Sequence, residues 1–153
     1  MRAERIFNHM PKIHTTTARV LYAHTDCAGV VFHSRYLEFF EAGRASLMRE
    51  VGMPYSEVEK RGVVLAVTEC FLKFRRSARY DDLLQIRVWV SRLTAVRIGF
   101  DYEIARESDG ELLTTGNTLL AGVTRDGKPI PIPDFMLEKM RPYLESVEGY
   151  TGK

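Results

Sequence analysis

The chain has 153 residues, 45% hydrophobic and 27% charged, a size and balance that suit one soluble compact domain and leave no room for two of ordinary size. A net charge of only +2 gives no global field toward nucleic acid, and no apolar run approaches the ~20 residues of a membrane span. The two cysteines, Cys27 and Cys70, make no disulfide framework and read as free thiols; with no apolar leader at the start, the expected location is the cytoplasm.

In chain order, the first dozen residues read as a loose arm, and Thr15 to Tyr22, rich in Thr and Val, as a short strand. A loop follows, His24-Thr-Asp-Cys-Ala-Gly-Val-Val-Phe-His33. From Ser34 to Val51 the spacing of Tyr36, Phe40, Gly43, Leu47 and Val51 predicts the longest helix, with Ser34 as N-cap and Gly52 and Pro54 as the stop. Gly43, costly in a helix interior, predicts the close approach of another backbone. Val63 to Arg76 is β-rich. Leu84, Ile86, Val88 and Val90 then alternate with polar neighbours, as do Val96, Ile98, Phe100, Tyr102 and Ile104. Leu112 to Thr124 reads as a further strand. Asp109-Gly110 and Asp126-Gly127 are turn signals, so consecutive strands are expected to pair as an antiparallel meander. Three prolines, Pro129, Pro131 and Pro133, end the sheet, and Phe135 to Leu144 reads as a short helix.

No repeat or linker divides the chain, so 1–153 is expected to form a single domain with its core over about 15–140. One helix with a broad apolar face and strands with one apolar face predict an α+β fold. In it a long central helix is wrapped by a curved antiparallel sheet of about five strands, with a short C-terminal helix. The remaining helix face and the sheet edges favour a homo-oligomer.

The loop before the long helix holds the candidate reactive groups. Asp26 is a carboxylate able to act as nucleophile or general base. The helix-start amides have no internal partner and lie at the positive end of the dipole, where they suit a developing oxyanion. Ala28 and Gly29 are small enough for a substrate to approach the backbone. The alternatives are structural: Asp26 as an Asx-turn, His33 as a packed helix-entry residue, His24 as a local support, and Cys27 as a small buried residue. A metal held by His24, Asp26 and His33 matches no recognised ligand spacing, and no metal or redox cofactor is expected.

Thr25-Asp26-Cys27-Ala28-Gly29-Val30-Val31-Phe32-His33, followed by Tyr36-Leu37-Glu38-Phe39-Phe40-Glu41, resembles the hotdog-fold thioesterases. The group in question contains 4-hydroxybenzoyl-CoA thioesterase and the YbgC-like acyl-CoA thioesterases. Phe74 to Asp82 and Asp126-Gly127-Lys128-Pro129 add to the likeness, which spans about residues 15–140. A histidine at position 33, where the hydroxybenzoyl-CoA enzymes carry tyrosine, is nearer the YbgC-like branch. The resemblance implies hydrolysis of an acyl-CoA to a free acid and CoA, with Asp26 as nucleophile or base and the His33 amide as the polarising donor. It makes Gly29, Ser34, Tyr36, Lys73, Arg75 and Arg76 candidate substrate and CoA contacts, and Arg79 a further phosphate candidate. Glu41 is a reserve base whose structural alternative is an ion pair with Arg44 or Arg35. Val63, Leu65 and Phe71 are candidate acyl contacts, Tyr22 a further pocket or core aromatic, and a homodimer or homotetramer the expected assembly. Two other readings are an acyl-CoA-binding protein that does not hydrolyse, and a dehydratase, whose catalytic pattern is not visible here.

Overall fold

The computed structural model describes residues 10–145, so most of the expected N-terminal arm lies outside the described residues. The elements are β1 (His14–Arg19), α1 (Arg35–Glu50), α2 (Tyr55–Lys60), β2 (Val64–Phe74), β3 (Leu83–Leu93), β4 (Arg97–Arg106), β5 (Leu112–Val123) and α3 (Asp134–Met140). Single 3-10 turns cover Tyr22–His24 and Arg141–Tyr143. The expected first strand thus stops at Arg19, and Tyr22 opens the turn. There it is 78% exposed and its ring meets Tyr80 edge-on, so it is not a core residue. Helix α2 is too short to carry a recognisable 3.6-residue pattern and has no counterpart among the sequence expectations.

All strands pair antiparallel in the order β1-β3-β4-β5-β2. The expected meander holds for β3, β4 and β5, whose connections are short enough for hairpins. At Gly110 a positive φ of 71° closes the β4–β5 turn, the backbone conformation that Asp-Gly pairs favour. The meander does not extend to β2, which lies at the far edge beside β5 while β1 takes the place next to β3. Turn signals define neighbours only where the turn is tight. Between β2 and β3 stand eight residues, 75–82, long enough for the chain to leave one edge and enter elsewhere.

The two-residue alternation does set the faces. Leu84, Ile86, Val88 and Val90 on β3 and Ile98, Phe100, Tyr102 and Ile104 on β4 are all buried. Against them α1, 16 residues long, packs Tyr36, Phe39, Phe40, Gly43, Leu47 and Met48. Phe40 stacks on Tyr102 at 4.2 Å between ring centres. What approaches Gly43 is a side chain rather than a backbone: a Cβ there would stand 2.8 Å from Ile86 Cγ2. Arg44 is also buried, its Nε donating to the Tyr55 hydroxyl at 2.8 Å and its Nη1 to the Tyr102 hydroxyl at 3.0 Å. This internal polar cluster was not expected of a helix position adjoining the apolar stripe. Ser34 occupies the N-cap position of α1 as expected, but it is already helical (φ −70°, ψ −20°) and its side chain makes no capping bond. α1 begins instead with a tight turn in which the Arg35 amide donates to Phe32 O at 2.9 Å.

Candidate active site

The 24–33 loop is a miniature hairpin. The Asp26 amide donates to Val30 O (2.9 Å), Phe32 N to His24 O (2.9 Å), and Thr25 bridges Val31. Its tip is closed by Gly29 N to Asp26 O at 3.0 Å, with Gly29 at φ +78°. That is a type I turn followed by a left-handed residue, a combination that favours glycine. Gly29 is therefore present for its backbone angle. The nearest atom to a Cβ built there, Arg79 Nη1, is 4.0 Å away. Val31, buried, pins the hairpin to the body of the protein through its amide, which donates to Ala78 O at 2.9 Å.

The hairpin delivers Asp26 and His33 to one cleft of about 400 Å³. Val30, Val31, Tyr36 and Phe74 give it apolar walls, and Arg75, Arg76 and Ser77 line it from the segment just after β2. Asp26 Oδ1 accepts the Ala28 amide at 2.8 Å and, more weakly, the Val30 amide at 3.4 Å. The Asx-turn expected as the structural alternative is present: Oδ1 is engaged, while Oδ2 has no hydrogen-bond partner among the described residues. His33 and Ser34 stand in the turn that opens α1, and neither amide has an acceptor among the described residues. The His33 ring is exposed and packs against Phe32 at 4.2 Å between centres. Tyr36 combines core and wall. It is 2% exposed, its hydroxyl accepts the Ala78 amide at 3.2 Å, and burial pushes its phenol pKa up.

Several candidates fall elsewhere. Neither Gly29 nor Ser34 lines the cleft, and Lys73, paired with Thr115, projects from the face of β2 opposite to Phe74. Cys27 is exposed, not buried, because the turn tip points away from the body. Glu41 lines a separate cavity of about 350 Å³ with Arg44, Tyr55, Glu59 and the start of β2, Leu65 and Val63 included. Its expected partners are engaged elsewhere, Arg35 with Glu38 at 2.6 Å and Arg44 with the two tyrosines. Phe71 borders a third hollow on the other face of the sheet, so none of the three acyl-contact candidates lines the Asp26 cleft. His24 has the local role foreseen as its alternative. Its Nδ1 accepts the Leu21 amide at 2.9 Å, its ring packs edge-on against Phe39, and Nε2 lies 3.7 Å from Glu38. Among the described residues no three His, Cys, Asp or Glu side chains gather as a metal-binding group, and no helix is long and apolar enough to cross a membrane. Phe74 and Ser77 were missed as wall residues. Their sequence signals were membership of the Phe74 to Asp82 stretch that adds to the family likeness and adjacency to the candidates Arg75 and Arg76.

A five-stranded antiparallel sheet with a carboxylate-bearing loop feeding the start of its longest helix defines a hotdog-type thioesterase architecture. The chain belongs to the thioesterase-like superfamily, whose pattern matches residues 20–140. It is similar to the acyl-CoA thioesterase YbgC of Haemophilus influenzae, with 30% identity over 74% of this chain and 82% of that one. Among solved structures it is similar to a probable thioesterase from Bartonella henselae, at 34% identity and TM-score 0.75, covering 80% of this chain and all of the other. A DHNA-CoA thioesterase from Staphylococcus aureus is 31% identical with TM-score 0.79, covering 86% and 88% of the two chains.

Proposed function

We propose that this chain hydrolyses the thioester of an acyl-CoA to a carboxylic acid and free CoA. The observation that carries the proposal is the meeting of Asp26 and His33 in one cleft at the opening turn of α1, with unengaged amides beside them. Oδ2 of Asp26 either attacks the thioester carbon or takes a proton from the water that does. The carbonyl oxygen, gaining negative charge, lies toward the His33 amide and the positive end of α1. The sulfur departs as the CoA thiolate and takes up a proton, and water supplies the second oxygen of the acid. No further co-reactant is required.

In this reading α1 is the central helix of a hotdog fold and the sheet curves around it. Arg75 and Arg76, at the cleft, pair with phosphates of the CoA moiety, for which guanidinium groups are well shaped. The protein works in the cytoplasm as a homo-oligomer. The names of the similar proteins, acyl-CoA and DHNA-CoA thioesterases among them, support a CoA thioester as substrate.

The test is thiol release from a panel of short-chain, long-chain and aromatic acyl-CoAs, comparing wild type with Asp26→Asn and His33→Ala. Turnover that collapses in Asp26→Asn and falls less in His33→Ala supports the assignment of the carboxylate and of a backbone, rather than imidazole, role at position 33. Tight acyl-CoA binding without any thiol released would replace the hydrolase with a non-hydrolytic acyl-CoA-binding protein.

A further inference from the structure

The segment that lines the cleft after β2 has no regular structure of its own, yet it carries Arg75, Arg76 and Ser77. Its fixing point comes from the opposite hairpin. Arg106, the last residue of β4 and only 18% exposed in its side chain, spreads its guanidinium over four acceptors. Nη2 donates to Ser77 O at 3.0 Å, Nε to Asp82 Oδ2 at 3.1 Å and Nη1 to Asp109 Oδ2 at 2.8 Å. Glu111 Oε2 lies 3.5 Å from Nη1. Asp82 Oδ2 also accepts the Arg79 amide at 2.9 Å, so one fork grips both ends of the 77–82 segment. Glu111 then links the clamp to the cleft, because its Oε1 accepts Arg76 Nε at 3.1 Å. The start of the segment is tied to the same hairpin, Arg75 and Arg76 both donating their amides to Leu113 O, at 2.8 and 3.1 Å.

We infer that Arg106 is a positioning residue for recognition of the phosphate-bearing end of the substrate, holding the 75–82 segment so that Arg75 and Arg76 face the cleft. The inference rests on the acyl-CoA reading above. Arg106 does not line the cleft, and it acts through the backbone of Ser77 and the carboxylates of Asp82 and Glu111. A lysine, a single point charge, cannot span these acceptors as a planar fork does. Glu111 has a further role. As an anion already paired with Arg76 it competes with a phosphate for that guanidinium, so ligand binding has to displace it.

Binding of CoA and of pantetheine, which lacks the nucleotide and its phosphates, separates this role from a general structural one. Dissociation constants for both are measured by calorimetry on wild type, Arg106→Gln, Arg106→Lys and Glu111→Gln. KM and kcat are measured with an acyl-CoA and the matching acyl-pantetheine. Wild type is expected to prefer CoA, and Arg106→Gln to weaken CoA binding and raise the acyl-CoA KM by about tenfold with kcat nearly unchanged, as loss of well-placed charge-assisted contacts implies. Pantetheine values stay at the wild-type level, Arg106→Lys falls between, and Glu111→Gln tightens CoA. Equal losses with both ligands, or a wild type that binds CoA no better than pantetheine, would overturn the inference. A wild type that prefers CoA and loses that preference in Arg106→Gln, yet releases no thiol, sustains the clamp while removing hydrolysis. Because Arg106→Gln can unfold the hairpin, Arg106→Lys and Glu111→Gln, each retaining most of the network, carry the same comparison; wild-type CoA affinity in both would also overturn it.

Discussion

The turn-forming role of Asp26 and the catalytic one proposed for it can be separated by one substitution. Its Oδ1 accepts the Ala28 and Val30 amides and so shapes the turn, while the proposed chemistry falls on Oδ2. An asparagine oxygen can accept the same amides, so Asp26→Asn is expected to hold stability within about 0.5 kcal/mol of wild type in urea titration. Thiol release should nevertheless fall by about 10²–10⁴-fold, the usual range for a lost general base. Asp26→Ala removes the acceptor too and should cost about 1 kcal/mol in addition. A second residue-scale expectation concerns pH. His14 Nε2 meets Ser46 Oγ at 2.8 Å, joining β1 to α1, and burial lowers its imidazole pKa against the opposing pull of Glu50. The folded chain therefore resists a proton that the unfolded chain accepts. The contribution to stability is complete above the ordinary imidazole pKa and is lost as pH falls through it toward the lowered value. The melting temperature should drop as pH falls through the ordinary imidazole range, and His14→Gln, which keeps a partner for Ser46 without titrating, should flatten that drop.

At the level of elements, two glycines contact α1 or its packing partners under unequal constraint. A Cβ at Gly43 would stand 2.8 Å from Cγ2 of Ile86, a branch methyl on a fully buried side chain that is stiff at χ1 and can yield only by shifting within the core, so Gly43→Ala should cost about 1 kcal/mol even after its gain in helix propensity. A Cβ at Gly116 on β5 would strike the carbonyl of Phe71 and stand 2.8 Å from two atoms of the Phe40 ring, which is itself stacked on Tyr102. Neither can yield, and Gly116→Ala should cost about 1–3 kcal/mol by chemical denaturation. This contrast was not legible in the sequence, whereas much else at this scale was. Period-two alternation identified the buried faces of β3 and β4, because half-buried strands leave an explicit pattern, but it carried one residue too far at Val96, which precedes β4 and is 48% exposed. The Asp26–His33 spacing placed both residues at one cleft because a tight hairpin brings those positions together locally. Strand order, the exposure of Cys27 and the distance of Val63, Leu65 and Phe71 from the cleft depend on which edges meet, and local spacing carries no record of that. The Arg106 clamp joins residues far apart in sequence and was hidden for the same reason.

For the molecule as a whole, the two sheet edges differ in what they leave to solvent. β1 is a short, threonine-rich strand of six residues. Among the described residues β2, eleven residues long, pairs only with β5, so its other side presents backbone donors and acceptors without a strand partner there. Its register places Leu65, Val67, Cys70, Leu72 and Phe74 on the same face as Gly122, Leu120, Thr118, Gly116 and Thr114 of β5, the face packed by α1. None of these five β2 side chains is charged, and Val67 and Phe74 are each 51% exposed. An uncharged row along an open strand edge is a poor surface for a monomer, and a second copy meeting it edge to edge would satisfy the backbone and cover the row together. Phe74 stands at one end of the row and lines the Asp26 cleft, so such a pairing would bring the second copy close to the site. Light scattering coupled to size exclusion is expected to give a dimer or a multiple of it. Val67→Lys, outside the cleft, would bury an unpaired ammonium at the contact and raise the dimer dissociation constant by at least about 100-fold. A wild-type protein that stays monomeric at micromolar concentration, or a Val67→Lys variant that assembles like wild type, would place the contact elsewhere.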